Sequence, residues 1–116
     1  MTEGALLEGV LPEGAGMIVK ILPNDRGDPP SKLADAELLF EDGVLRGLRL
    51  IGFAIWEPRR GKSRTVTFPS RTYFVHGEPR VYVLLRPASE VSANDPVRRL
   101  ILETYEAFEQ RMAGVT

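Results

Sequence analysis

Cysteine is absent from this 116-residue chain. Disulfide scaffolds, Cys-ligated zinc and thiol catalysis are therefore excluded, and the absence fits a reducing compartment. Histidine occurs once, at His76, which leaves no recognisable metal-ligand set. No apolar run approaches the ~20 residues that span a bilayer as a helix. The first residues lack a basic segment leading into an apolar stretch, so no signal peptide is expected. These absences point to a cytoplasmic protein with no cofactor and no membrane partner.

Catalytic spacings are missing as well. Ser70, between Pro69 and Arg71, lacks the flanking glycines of a nucleophile elbow. Gly61-Lys62-Ser63 imitates the end of a phosphate loop, but the glycine required upstream is Trp56 and no helix follows. Asp35, Glu37, Glu41 and Asp42 read as a solvated face and a turn. An enzyme would need His76 and two carboxylates in one pocket, and none is expected.

What the chain does have is separated charge. The formal net charge is only −1. Residues 1–15 carry Glu3, Glu8 and Glu13 and no base, whereas residues 44–99 carry eleven Lys or Arg against four acids, a local balance of +7. Such asymmetry suits an anionic partner; its plainer explanation is arginine on solvated strand faces. The length predicts one domain with a modest core, which would gain from oligomerisation.

Residues 1–15, rich in Gly and Glu, read as a flexible N-terminal tail or a peripheral strand, with a single domain over 16–116. Met17–Leu22 is rich in β-branched residues and ends at Pro23, as a strand would. Residues 24–31, with Gly27, Pro29 and Pro30, form a loop. Leu33–Phe40 suits a second strand, although its composition also permits a helix. Glu41-Asp42-Gly43 is a hairpin signal, after which a third strand runs from Val44 to Trp56 with a bulge or break near Gly52. Thr65–Phe68 is a fourth strand, stopped by Pro69. Thr72–Val75 prolongs the edge, His76-Gly77-Glu78-Pro79 is a turn, and Arg80–Leu85 is a fifth strand. Asp95 as N-cap and Pro96 at the first helical position open a helix. Its apolar stripe is Val97, Leu100, Ile101, Tyr105, Phe108 and Met112, and Gly114 stops it. Strands followed by one amphipathic helix predict an α+β fold, an antiparallel sheet of about five strands with the helix on one face. The apolar surface and open edge left over call for a second copy.

The densest positive charge sits between strands three and four. Arg59, Arg60, Lys62 and Arg64 share a short, Gly-containing tip that could reach several phosphates and bind them in a salt-dependent way. Trp56, Phe68, Tyr73 and Tyr82 interleave with these bases. They either stack nucleobases or belong to the core, the commoner fate of such residues. Arg98 and Arg99 lie in the first helical turn, where cations oppose the helix dipole. They either serve an anion or pair with Asp95, Glu90 or Glu103.

These segments resemble the SpoVG family (stage V sporulation protein G), small bacterial regulators of septation, cell division and sporulation. Val44–Ile51 looks like the family's strand before its loop. Val66-Thr67-Phe68-Pro69-Ser70-Arg71 resembles its Phe-Val-Ala-Met-Pro-Ser-Arg motif. Pro87, a polar linker and a helix carrying Leu102-Glu103-Thr104-Tyr105-Glu106 resemble its C-terminal part. The resemblance implies a homodimer whose sheets join across the interface. It also implies DNA or RNA binding of loose sequence preference, carried by basic residues that map onto Arg71, Arg98 and Arg99. This chain departs from the pattern in two places: Leu85-Arg86-Pro87 replaces a His-Pro-Ile segment, and the loop before the motif is lengthened by the Arg59–Arg64 tip. The expectation is a dimeric, non-catalytic regulator that holds nucleic acid through Arg59, Arg60, Lys62, Arg64, Arg71, Arg98 and Arg99. The competing class is a protein-interaction module using the open sheet edge and the acidic tail.

Overall fold

The computed structural model describes residues 5–8, as backbone, and residues 16–114. The architecture is α+β: among the described residues there are seven antiparallel strands in two sheets and one long helix. Strands β1 (Ala5–Glu8), β2 (Met17–Pro23), β3 (Lys32–Phe40), β4 (Arg49–Trp56) and β5 (Thr65–Thr67) form a five-stranded meander in sequence order. Strands β6 (Ser70–Val75) and β7 (Glu78–Val83) form a separate two-stranded hairpin. Helix α1 runs from Asp95 to Ala113 after a single 3-10 turn, Val91–Asn94.

Period-two alternation assigns the faces of the meander. Val19 and Ile21 on β2, Ala34, Ala36 and Leu38 on β3, Phe53 and Ile55 on β4 and Val66 on β5 are buried. Leu100, Ile101, Tyr105 and Phe108 of α1 close over them in one cluster, to which Phe68 also belongs. Phe53 meets Phe68 edge to face, ring centroids 5.1 Å apart, an arrangement that the ring quadrupoles favour. The helical stripe thus packs as its spacing predicts, except that Met112 is exposed. The helix begins one residue before its expected first turn: Asn94 is the N-cap and Asp95 lies inside, with Gly114 as C-cap.

Three further expectations are revised. The hairpin turn expected at Asp42-Gly43 is the start of a longer loop, and β4 begins at Arg49 rather than Val44. Gly43 and Gly47 both take positive φ, and Gly47 N–H donates to the Phe40 carbonyl at 2.9 Å. The chain therefore curls before it pairs and leaves Val44 97% exposed. Thr72–Val75 does not prolong the sheet edge. It lies in β6, which pairs with β7 alone, because buried Pro69 interrupts the ladder after β5. The main sheet has the five strands expected, and among the described residues the separate hairpin adds two more. Of the stretch read as a tail or a peripheral strand, only Ala5–Glu8 lies within the described residues, and it pairs at the sheet edge with β2 at Ile18–Ile21, as a peripheral strand would.

The break near Gly52 is present. Leu38 pairs with Leu50 and Ala36 with Phe53, so Ile51 and Gly52 together oppose Glu37 in a β-bulge. Gly52 has φ +108°, and a Cβ there would stand 3.1 Å from Pro69 Cβ. The bulge thereby lets β4 pass the start of the hairpin arm.

Candidate nucleic-acid interface

The basic tip is a tight turn. Lys62 N–H donates to the Arg59 carbonyl at 2.8 Å, and Gly61, third in the turn, takes φ +72°, as a type II turn requires. Arg59, Arg60 and Lys62 are exposed. None of them has an acidic partner among the described residues. The backbone thus holds three solvated cations on four consecutive positions.

Arg64 is different. Its guanidinium donates two parallel hydrogen bonds to Glu109 of α1, at 2.7 and 2.8 Å, and lies over the Tyr105 ring, 5.1 Å from its centroid. The Glu109 hydrogen bonds raise its pKa above the ordinary arginine value; partial burial opposes them and the Glu109 charge assists. Arg64 fastens the loop to the helix.

Arg98 is also engaged. It donates to Asp95 at 2.9 Å, one of the three pairings expected from the sequence, and sits over the Phe68 ring at 5.2 Å. Arg99, next to it, is exposed and has no acidic partner among the described residues. Arg71 stands apart, exposed on β6 and opposite Tyr82 in register.

Two grooves flank the tip and share Ser63. The first, of about 460 Å³, runs toward the start of α1. Its three arginines, Arg64, Arg98 and Arg99, face three acids, Asp95, Glu103 and Glu106, so it offers an anion no net attraction. The second, of about 520 Å³, runs along the outer face of the sheet beside Trp56. It sets Arg59 and Lys62 against Glu57 alone, and Arg60 lies between those two cations in the turn. Of the two clefts, only the second is positive.

The aromatic residues divide between core and surface. Phe68 is buried, Trp56 is half-buried, and Tyr73 and Tyr82 are exposed. The register of the β6–β7 hairpin places Arg71 and Tyr82, Tyr73 and Arg80, and Val75 and Glu78 on one face. Tyr73 and Tyr82 meet edge to face at 5.9 Å, and Arg86 lies over the Tyr82 ring at 5.2 Å. Arg80 and Arg86 were not singled out in the sequence; the i, i+2 spacing of Arg80 and Tyr82, mirrored by Arg71 and Tyr73, was the signal. The opposite face carries Ser70 and Val83, Thr72 and Val81, and Phe74 and Pro79. It has no charge, and Phe74 and Val81 are 68% and 70% exposed. His76 caps this arm: it and Gly77 take φ +51° and +80°, and Val75 pairs directly with Glu78, a type I′ two-residue turn. The lone histidine is thus a turn residue at the far end of the hairpin.

No family model, no curated protein and no solved structure matches this chain.

Proposed function

We propose that this protein is a homodimeric, non-catalytic regulator that binds DNA or RNA through its phosphate backbone. The observation that carries the reading is the cluster of Arg59, Arg60 and Lys62, three exposed cations on one turn that have no acidic partner among the described residues. Cations so placed release counterions from several phosphates at once, which gives salt-dependent binding with little sequence readout. Arg99 and Arg71 extend the contact, while Arg64 and Arg98 act mainly on the fold. The resemblance to the SpoVG septation and sporulation regulators agrees with this role.

The dimer rests on the β6–β7 arm. An isolated two-stranded hairpin is marginal in water, and this one turns an uncharged face with Phe74 and Val81 to solvent. Joining two arms on that face would bury both and complete each hairpin. The same apolar face favours the second reading, a protein-interaction module, in which another protein takes the place of the second copy.

The test is fluorescence anisotropy with labelled single-stranded and duplex DNA and RNA at two salt concentrations, on wild type and an Arg59/Arg60/Lys62→Ala variant. Binding should weaken with salt. The variant should lower the logarithmic salt slope by about two to three, from ~0.7 per phosphate on single strands and ~0.9 on duplex DNA. Failure to bind any probe at low salt would refute the reading and leave protein interaction in its place.

A further inference from the structure

Trp56 is positioned in an unusual way for the one tryptophan of a small domain. The register of β4 with β5 pairs Trp56 with Thr65 and Ala54 with Thr67. This places the indole on the outer sheet face, opposite the face that α1 covers. Its Nε1–H donates to Thr67 Oγ1 at 2.9 Å, so the ring's polar edge is satisfied and the ring is anchored at one end. Its neighbours in register on that face are Ala54, Thr65 and Thr67, with Asp35 beyond Ala54, and the ring is partly covered, leaving part of its surface to solvent. On the β3 side its partner is Lys32, whose amine is drawn to Asp35 at 3.0 Å. The surface left over borders the positive groove, where Arg59, Lys62 and Ser63 form the adjoining wall. Ser31, at the end of loop 24–31, also lines the groove: Asn24 holds the loop through the Pro29 and Lys32 carbonyls, and Glu57 N–H donates to the Ser31 carbonyl at 2.9 Å.

We infer that Trp56 is a stacking platform for an unpaired nucleobase, and that the nucleic acid this protein prefers is single-stranded. The inference rests on the phosphate-binding reading above and specifies its substrate. An indole face accepts any base, because every base has a π-face. In a duplex those faces are occupied by neighbouring bases, so only a splayed single strand presents one. A base on the indole leaves its sugar-phosphate at the mouth of the groove, where Arg59 and Lys62 meet the phosphates and Ser63 and Thr65 offer hydroxyls. Glu57 is the one acid in this wall, outnumbered by two cations. The Thr67 hydrogen bond fixes the ring before the ligand arrives and so reduces the ordering cost of binding.

Because the chain has no other tryptophan, its intrinsic emission reports on Trp56 alone. Emission and anisotropy are read together while oligodeoxythymidylate, an abasic strand of equal length, and a duplex of equal length are added at low salt. Stacking predicts quenching by the thymidylate but not by the abasic strand or the duplex. Trp56→Leu should weaken thymidylate binding by roughly 5- to 150-fold, the equivalent of ~1–3 kcal/mol per stacked base. Its duplex and abasic affinities should stay unchanged. Trp56→Phe, which keeps a ring, should retain most of the thymidylate affinity. The abasic comparison needs no variant, so a folding defect in Trp56→Leu cannot imitate the result. Equal binding of all three probes without a change in emission would overturn the stacking inference while phosphate binding stood. No binding of any probe would overturn both.

Discussion

Removing Arg64 separates two kinds of arginine that look alike in the sequence. Arg59, Arg60 and Lys62 are solvated, whereas Arg64 holds Glu109 through two hydrogen bonds and covers Tyr105. The Arg64 and Glu109 side chains are 33% and 39% exposed, so solvent screens the pair and its contribution stays within ~0.2–1 kcal/mol, toward the upper end for fork geometry. The contact with Tyr105 adds ~0.5–1 kcal/mol. Arg64→Ala should therefore destabilise the fold by about 1–2 kcal/mol. For a chain of this length each kcal/mol moves the melting temperature by about 4 °C, so the expected fall is about 4–8 °C by scanning calorimetry. Arg64→Lys keeps the charge but not the fork and should fall between the two. Each alanine substitution at the tip should change stability by less than ~0.5 kcal/mol while lowering affinity for nucleic acid. If Arg64→Ala melted like wild type yet lost as much affinity as Arg60→Ala, the division would be wrong. The guanidinium would then leave Glu109 to meet phosphate.

Three other perturbations follow from the same geometry. Gly52→Ala places a Cβ against Pro69 at a φ that L-residues rarely adopt, and urea denaturation should show a loss of ~1–3 kcal/mol. If the proposed dimer forms through the arm, Val81→Lys, which puts a charge on its uncharged face, should shift it to monomer in sedimentation equilibrium with circular dichroism unchanged; a persistent dimer would move the interface elsewhere. Burial first, then the Glu109 charge, holds the Tyr105 phenol above its ordinary 10.0, with Arg64 opposing. The unfolded chain therefore ionises first, so this contribution is complete below 10.0 and is lost as pH rises from there through the folded value. Urea midpoints measured on either side of 10.0 should fall more steeply for wild type than for Tyr105→Phe.

The legible parts of this molecule are those set by local chemistry. The helix could be read because Leu100, Ile101, Tyr105 and Phe108 repeat at helical spacing, and β2 because Pro23 ends a β-branched run. The bulge at Gly52 was legible from a glycine in an apolar strand. Val44–Leu48 has a strand-like apolar composition but forms no strand, because two positive-φ glycines, Gly43 and Gly47, curl the segment into solvent. The independence of the β6–β7 hairpin turns on Pro69, whose ability to end a strand was visible but whose redirection of the chain was not. At the candidate site, the type of charge was legible and its engagement was not. Glu109 lies 45 positions from Arg64, and no local pattern connects them. Asp95, three positions from Arg98, could be anticipated as its partner.

The meander has a consequence for how the chain acquires its shape. Each strand from β2 to β5 pairs with its predecessor, so the ladder can assemble in order as the polypeptide leaves the ribosome. Its apolar face, however, waits for Leu100, Ile101, Tyr105 and Phe108, which are synthesised only after the whole β6–β7 arm. During that interval a nearly finished sheet carries an open hydrophobic surface, the kind of species that self-associates. Weakening α1 should therefore reduce the yield of soluble protein more than its effect on the finished fold would suggest, because the helix is both the lid of the core and the last part of it to arrive.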